Sequence, residues 1–121
     1  MKKDETVYIR HIYDCIRRIE EYVSEGREAF FRDHKTQDAV IRNLEIIGQA
    51  VKDIQVDKLV VTRNEIPWSR IAGLRNVLAH QYLGVDLELV WKSVENDLPA
   101  LESAIQEIAI ARDFSLDQPD G

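Results

Sequence analysis

The chain has 121 residues, of which 45% are hydrophobic and 31% are charged, and its formal net charge is −6. This length fits one domain, and this composition excludes a disordered or collagen-like chain. The acidic balance excludes binding of nucleic acid through bulk electrostatic attraction, so any such contact has to be local.

The N-terminal segment MKKDETVYIR lacks the apolar stretch of a signal peptide. Nor does any uncharged apolar run approach the roughly 18 to 20 residues that span a bilayer. The single cysteine, Cys15, cannot form an internal disulfide, which fits a reducing compartment. We therefore expect a cytoplasmic protein that does not associate with a membrane.

A stripe of apolar residues predicts the first helix, over residues 4–24. The stripe recurs every three or four residues, as one buried helix face requires, at Tyr8, Ile12, Ile16, Ile19 and Val23. Residues 28–35 then predict a short turn, whose Phe30 and Phe31 cover the end of the core.

Two further helices are predicted in the middle of the chain. Thr36 is the expected N-cap of a helix that reaches about residue 55, with its stripe at Ala39, Val40, Leu44, Ile47, Val51 and Ile54. Pro67 suits the first position of a third helix, because its missing N–H would be unpaired there anyway. Gly84 is expected to end that helix.

The last predicted helix starts after the N-cap Asp86 and carries an apolar stripe as far as Ile108. Pro99 should kink this helix or split it in two, since proline cannot donate a hydrogen bond to the preceding turn. We thus predict one helical domain over residues 1–112 and a flexible C-terminal tail over residues 113–121.

The third predicted helix gathers polar residues, since Arg75, Asn76, His80 and Tyr82 lie within eight positions. At about 100° per residue, Asn76 and His80 are about 40° apart on the helix surface and can act together. Arg75 is about 140° from His80, so these two converge only if the ligand straddles the helix, the helix distorts or a second chain contributes. From spacing alone, a solvated helix face with a hydrogen-bonded histidine is the better interpretation.

Cutting RNA without a metal needs a base for the 2′-OH proton, an acid for the leaving 5′-oxygen and a cation for the charge at phosphorus. The His80 imidazole suits the first two roles, because histidine exchanges protons near neutral pH. The Arg75 guanidinium matches phosphate oxygens in bidentate geometry. One chain supplies one such histidine, so we predict a two-fold homodimer that brings two copies of the helix around one phosphate.

Residues 75–82, RNVLAHQY, form a short motif: an arginine, four residues, a histidine, any residue and a tyrosine. Further segments flank it, namely 36–48 (TQDAVIRNLEIIG), 66–68 (IPW), 71–74 (IAGL) and 84–91 (GVDLELVW). Together these segments resemble the HepT-type toxins, a branch of the HEPN superfamily. The resemblance runs from about Tyr8 to Ile108, which is nearly the whole chain.

This resemblance implies an all-α fold, an antiparallel bundle of four to five helices that forms a HEPN-like homodimer with a composite active cleft. It implies a metal-independent endoribonuclease without a cofactor, the toxin of a type VII toxin–antitoxin pair that acts on RNA. It also implies a partner, a minimal nucleotidyltransferase (MntA-like) antitoxin, which blocks the toxin by transferring AMP from ATP to the signature tyrosine.

Carried onto this chain, the resemblance makes Arg75 and His80 the catalytic pair, Asn76 a supporting polar residue and Tyr82 the AMP acceptor. If the helix continues, Tyr82 lies about 20° from Arg75, so a bulky anionic adduct on its phenol would occupy the phosphate site. Gln49 departs from the family's pattern, which often has glutamate at this place. Glutamine keeps a hydrogen-bonding carbonyl there.

Four other residues invite a functional interpretation that we set aside. His11 and Cys15 are four positions apart on the first helix, but two ligands are too few for a metal site, and buried packing residues are expected instead. Trp68 and Trp91 are expected to anchor the core or an interface rather than to stack on RNA bases.

Two functions of other classes stay open. The acidic net charge favours a non-catalytic dimeric module that binds nucleotides or a nucleotidyltransferase. Such a module would bind RNA tightly without releasing products. A plain structural dimer would lose nothing beyond stability when Arg75 is replaced by alanine.

Overall fold

The computed structural model describes residues 5–54, 66–79 and 84–117, apart from the side chains of Asn76, Val77 and Ala79. Within these ranges all regular structure is helical, which confirms the predicted all-α class. The helices are α1 (Glu5–Tyr22), α2 (Arg27–Arg32), α3 (His34–Ile54), α4 (Trp68–Ala79), α5 (Leu87–Lys92) and α6 (Leu98–Ala111), with a π-helical turn at Ser93–Asp97. None of these helices is long and apolar enough to cross a lipid bilayer.

Helix α3 occupies the centre of the fold, because α1 and α4 both pack along it. The predicted stripes form these contacts, with full burial of Ile12, Ile16, Ile19, Val40, Leu44, Ile47, Val51 and Ile54. Each such side chain contributes about 1.5–3 kcal/mol when it leaves water. Helix α6 packs against α1 and completes the core.

The prediction of a turn over residues 28–35 is wrong, because Arg27–Arg32 forms the short helix α2. Burial of Phe30 stabilises it, and the Gln37 side chain donates a hydrogen bond of 3.0 Å to the carbonyl of Phe30. The predicted N-cap Thr36 is also wrong. Helix α3 starts at His34, and the carboxylate of Asp33 accepts hydrogen bonds from the Lys35 N–H (3.1 Å) and the Thr36 hydroxyl (2.8 Å).

Helix α4 starts one residue later than predicted. Its first residue is Trp68, and the carbonyl of Pro67 accepts the first helical hydrogen bond, from the N–H of Ile71 at 3.0 Å. Proline therefore occupies the N-cap position instead of the first helical one. The expected end at Gly84 lies beyond Ala79, where the described part of this helix stops.

The predicted effect of Pro99 is confirmed. Asp86 caps α5 through hydrogen bonds from the N–H groups of Glu88 (3.0 Å) and Leu89 (3.3 Å). The helix then passes through the π turn, in which the N–H of Leu98 donates to the carbonyl of Ser93. Pro99 follows at the start of α6. Because proline has no N–H to donate, the regular hydrogen-bond ladder is interrupted at this point.

Residues 113–117, the first part of the predicted tail, contact the helical body. The N–H of Phe114 donates to the carbonyl of Ala109 at 3.0 Å, and the Phe114 ring packs against the core. Arg10 of α1 lies over this ring, 5.4 Å from its centroid, and donates to the carbonyl of Ser115 at 2.8 Å. The domain boundary at residue 112 and the flexibility of the tail remain predictions.

Candidate active site

Helices α1, α3 and α4 enclose a cleft of about 460 Å³. This is the size range of clefts that bind small molecules. The lining residues come from all three helices: Val7, Tyr8, His11, Arg42, Glu45, Ile46, Gln49, Ala50, Asp53 and Arg75. Arg75, the first residue of the motif at residues 75–82, is therefore part of a concave surface.

The place of Arg75 depends on a close contact between α3 and α4. A Cβ atom on Gly48 would lie 2.8 Å from the carbonyl oxygen of Ile71 and 3.1 Å from the backbone nitrogen of Arg75. Only glycine leaves room for this approach of the two backbones. The Arg75 side chain itself is exposed. Gly48 thus allows α4 to present a guanidinium at the edge of α3.

The charged groups of the cleft are balanced in number. Arg42 and Arg75 are cationic, and Glu45 and Asp53 are anionic. Arg42 and Glu45 form an ion pair of 3.7 Å, while the Gln49 amide donates to Asp53 at 2.8 Å. Such a cleft can bind one phosphate through an arginine guanidinium group. It is not a continuous cationic surface that could bind a long nucleic acid. Gln49, the residue that departs from the family's pattern, belongs to this cleft.

The structure describes the side chain of only one of the predicted site residues, Arg75. The backbone of Asn76 is part of α4, but its side chain lies outside the described residues. His80 and Tyr82 also lie outside them. Their roles as acid/base and as AMP acceptor therefore stay predictions.

The expectation that His11 and Cys15 both pack inside the core is wrong for His11. Its side chain is exposed and lines the cleft. Cys15 is fully buried as expected, and burial raises the pKa of its thiol to about 11. Tyr8 and His11, three positions apart, share a helix edge beside the buried stripe. The spacing places His11 at this helix edge, but it does not show that the edge faces a cleft.

The two tryptophans are core residues, as predicted. Trp68 is 1% exposed at the start of α4, and Trp91 is 8% exposed on α5. The Trp91 ring packs against Phe30 of α2 with 5.3 Å between the ring centroids. Across the described ranges, no three His, Cys, Asp or Glu side chains form a group that could hold a metal ion.

The described part of the chain is an all-helical fold with Arg75 in a cleft between its helices. The HepT-like ribonuclease family matches residues 12–108, which include every described lining residue from Arg42 to Arg75. The chain belongs to this family, and its fold is HEPN-like.

Individual relatives agree with this assignment. The chain is 42% identical over 109 residues to a "Probable ribonuclease HepT" of Thermococcus cleftensis, covering 89% of this chain and 98% of the relative. It has the same identity over 109 residues to a "Gamma-glutamylcyclotransferase and putative RNase" of Methanocaldococcus jannaschii, covering 89% of this chain and 49% of that protein. The chain thus spans about half the length of this second relative. No solved structure matches the chain significantly.

Proposed function

We propose that this protein is a metal-independent endoribonuclease whose reaction uses Arg75 and His80. The observation that carries the proposal is the position of Arg75, exposed and in the cleft, in a chain of the HepT-like ribonuclease family. A guanidinium there can bind the two non-bridging oxygens of a phosphodiester. His80 follows Arg75 on the same chain segment and supplies proton transfer.

The proposed reaction is an internal transesterification. A base removes the proton of the 2′-OH, and the 2′-oxygen attacks phosphorus while the bond from phosphorus to the 5′-oxygen breaks. An acid donates a proton to the leaving 5′-oxygen. The products are a 2′,3′-cyclic phosphate and a 5′-hydroxyl, and no water is consumed. Arg75 stabilises the additional negative charge in the transition state.

The finer features of the proposal concern regulation and assembly. We propose that the protein is the toxin of a type VII toxin–antitoxin pair and forms a homodimer with a composite cleft. A minimal nucleotidyltransferase antitoxin would transfer AMP to Tyr82, and the added phosphate would repel the RNA phosphate from Arg75. Because cellular RNA is the substrate, the proposal requires a cytoplasmic location.

The decisive experiment is incubation of the purified protein with total cellular RNA in the presence of EDTA. We expect cleavage fragments with 2′,3′-cyclic phosphate ends from the wild type and none from His80→Ala. Cleavage that stops in EDTA would contradict metal independence. Equal cleavage by wild type and His80→Ala would contradict the role of His80. Tyr82→Phe should cleave RNA but resist inactivation by the nucleotidyltransferase and ATP.

One observation favours the alternative, a non-catalytic dimeric module that binds nucleotides or a nucleotidyltransferase. Glu45 and Asp53 balance the two arginines of the cleft, which suits a single small anion better than an RNA chain. The same experiment separates the two functions. Tight binding of RNA or nucleotide without any cleavage product would establish the module.

A further inference from the structure

The C-terminal part of α3 presents an amide next to a carboxylate. Gln49 and Asp53 are four positions apart on this helix and therefore lie on the same face. The Gln49 amide nitrogen donates a hydrogen bond of 2.8 Å to one carboxylate oxygen of Asp53, and both residues line the cleft. This contact orients the two groups relative to each other. We call them the Gln49–Asp53 edge.

The two carboxylates of the cleft have different partners. Glu45 forms the ion pair of 3.7 Å with Arg42, so a guanidinium balances its charge. Asp53 is exposed and accepts from the neutral amide of Gln49, which does not balance its charge. Such a carboxylate repels a phosphate but attracts N–H donors, and it can accept about four hydrogen bonds. This part of the cleft therefore suits the base of a nucleotide and not its phosphate.

The order of donors and acceptors along the Gln49–Asp53 edge matches guanine. The amide nitrogen has two N–H groups and donates one to Asp53, so the edge offers one donor followed by two carboxylate acceptors. Guanine offers the complement on its Watson–Crick edge, namely the O6 acceptor followed by the N1–H and N2–H donors. Adenine, cytosine and uracil lack two adjacent donors. Each of them would place a lone pair against a carboxylate oxygen.

Tyr8 of α1 and Arg75 of α4 border the same cleft. Tyr8 is half-buried and packs against the core, which limits the motion of its side chain. Aromatic side chains stack on unpaired RNA bases of every type. The backbone of Arg75 passes beside Gly48, and Asp53 follows Gly48 by five residues, about 7.5 Å along the helix axis. One nucleotide can bridge this distance, with its phosphate at Arg75 and its base at the Gln49–Asp53 edge.

We propose that the Gln49–Asp53 edge binds a guanine base of single-stranded RNA, with Tyr8 stacked on the base. The inference rests on the proposed function, because it names the nucleotide beside the phosphate that Arg75 binds. The Asp53 carboxylate accepts hydrogen bonds from guanine N1–H and N2–H, and the Gln49 amide donates to O6. The enzyme therefore cuts RNA next to guanosine. All residues of this site belong to one chain, so each protomer of the proposed homodimer carries its own copy.

The first test measures binding without cleavage. Short 2′-O-methyl oligouridylates with guanine, adenine, cytosine or uracil at the centre cannot be cut, because they lack a free 2′-OH. We expect the guanine oligonucleotide to bind about 10-fold or more tightly than the other three in fluorescence anisotropy, since two hydrogen bonds to one base discriminate by this order. Asp53→Asn should remove the preference. Asp38→Asn should keep it, because Asp38 is exposed on α3 and does not line the cleft.

Variants of Tyr8 separate affinity from the choice of base. Tyr8→Leu keeps an apolar side chain but loses the aromatic face. It should weaken the binding of all four oligonucleotides by about 5-fold or more and leave the ratio of their dissociation constants unchanged. Tyr8→Phe should bind like the wild type. Circular dichroism and thermal unfolding check that the variants are folded, and unchanged binding by Tyr8→Leu would overturn the stacking role.

The second test maps the cleavage sites of the wild type in a randomised RNA pool in EDTA. We expect guanosine at one fixed position beside the cut and loss of this bias in Asp53→Asn. Binding of 5′-GMP and 5′-AMP distinguishes RNA from a free nucleotide. Tighter binding of GMP than of AMP, together with equal binding of the four oligonucleotides, would assign the site to a free nucleotide and overturn its role in RNA.

The outcomes keep this inference apart from the proposed function. If the wild type cleaves RNA without a bias for guanosine, or binds the four oligonucleotides equally, the inference is overturned and the function stands. A guanine preference that persists in Asp53→Asn overturns the role of Asp53. A guanine preference that depends on Asp53, in a wild type that cuts no RNA, supports guanine recognition and overturns the ribonuclease function.

Discussion

Gly48 and Arg75 belong to different helices, yet a Cβ atom on Gly48 would lie 3.1 Å from the backbone nitrogen of Arg75. The same atom would lie 2.8 Å from the carbonyl oxygen of Ile71, one turn earlier. Both neighbours are backbone atoms, which cannot rotate away as a side chain could. The distance between α3 and α4, and with it the position of the Arg75 guanidinium, is therefore set by the absence of a side chain at Gly48.

Gly48→Ala should displace α4, lower the free energy of unfolding by about 1–3 kcal/mol and reduce RNA cleavage, because an added methyl group overpacks the helix contact. Urea unfolding and the cleavage rate measure the two effects. Gly73→Ala on α4 is the matched control, since a Cβ atom there meets nothing within 4 Å. That change should leave cleavage intact and stabilise the helix by up to about 1 kcal/mol. Equal behaviour of the two variants would contradict the packing role of Gly48.

Arg75→Lys should lower the cleavage rate by about 10²–10³-fold, because an ammonium group keeps the charge but cannot bind two phosphate oxygens in a fixed plane. Thermal unfolding should change little, since the side chain is exposed. Arg32→Lys provides the control, because Arg32 is exposed on α2 and does not line the cleft. Full activity of Arg75→Lys would show that only the charge matters.

The ion pair between Arg70 and Asp97 connects α4 to the π turn, and the Asp97 side chain is 13% exposed. A double-mutant cycle with Arg70→Ala and Asp97→Ala should give a coupling of about 0.5–1 kcal/mol in urea unfolding. This coupling should fall at 1 M salt. The pair of Arg17 and Glu20, whose side chains are 62% and 50% exposed, should show almost none. A larger coupling in the exposed pair would contradict this assignment.

The Cys15 thiol should resist modification in the folded protein. Burial raises its pKa from 9.0 to about 11, so the reactive thiolate is about 100-fold rarer at pH 8 than in the unfolded chain. Reaction with a chromogenic disulfide reagent, followed with and without denaturant, measures this difference. A thiol that reacts equally fast in both conditions would contradict the burial of Cys15.

The same pKa shift predicts a loss of stability in alkali. The folded state holds the thiol proton more tightly than the unfolded state does. The stability that the protonated Cys15 thiol contributes is therefore fully present below about pH 9 and is lost as the pH rises towards 11. Cys15→Ala should remove this part of the alkaline destabilisation, although it lowers stability at neutral pH by creating a small cavity. Urea unfolding at pH 7 and pH 10 gives the comparison.

Periodicity and resemblance predict different parts of this protein. The stripes of α1 and α3 repeat every three or four residues, and the structure buries most of the predicted side chains, whereas Tyr8, Val23 and Ala39 are half-buried. The resemblance predicted Arg75 as a site residue, and the structure places Arg75 in the lining of the cleft. Neither periodicity nor the resemblance shows that Asp33, and not Thr36, caps α3, because both residue types cap helices well and they are only three positions apart.

The position of His11 could not be predicted for a different reason. Helical periodicity shows which residues border the buried stripe, but not which border faces a neighbouring helix. That depends on where α3 and α4 pack, and thus on contacts between residues far apart in the chain. The contact of Gly48 with Arg75 has the same origin, since a glycine inside a helical pattern equally fits a position such as Gly73, where an added Cβ atom would meet nothing within 4 Å.

The two tryptophans are intrinsic fluorophores, and both are buried. Trp68 is the first residue of the helix that carries Arg75, and Trp91 on α5 packs against Phe30 of α2. In single-tryptophan forms made by Trp68→Phe or Trp91→Phe, the emission maximum would report solvent entry at each location separately. Ligand-induced displacement of α4 could then be followed in real time without any external dye.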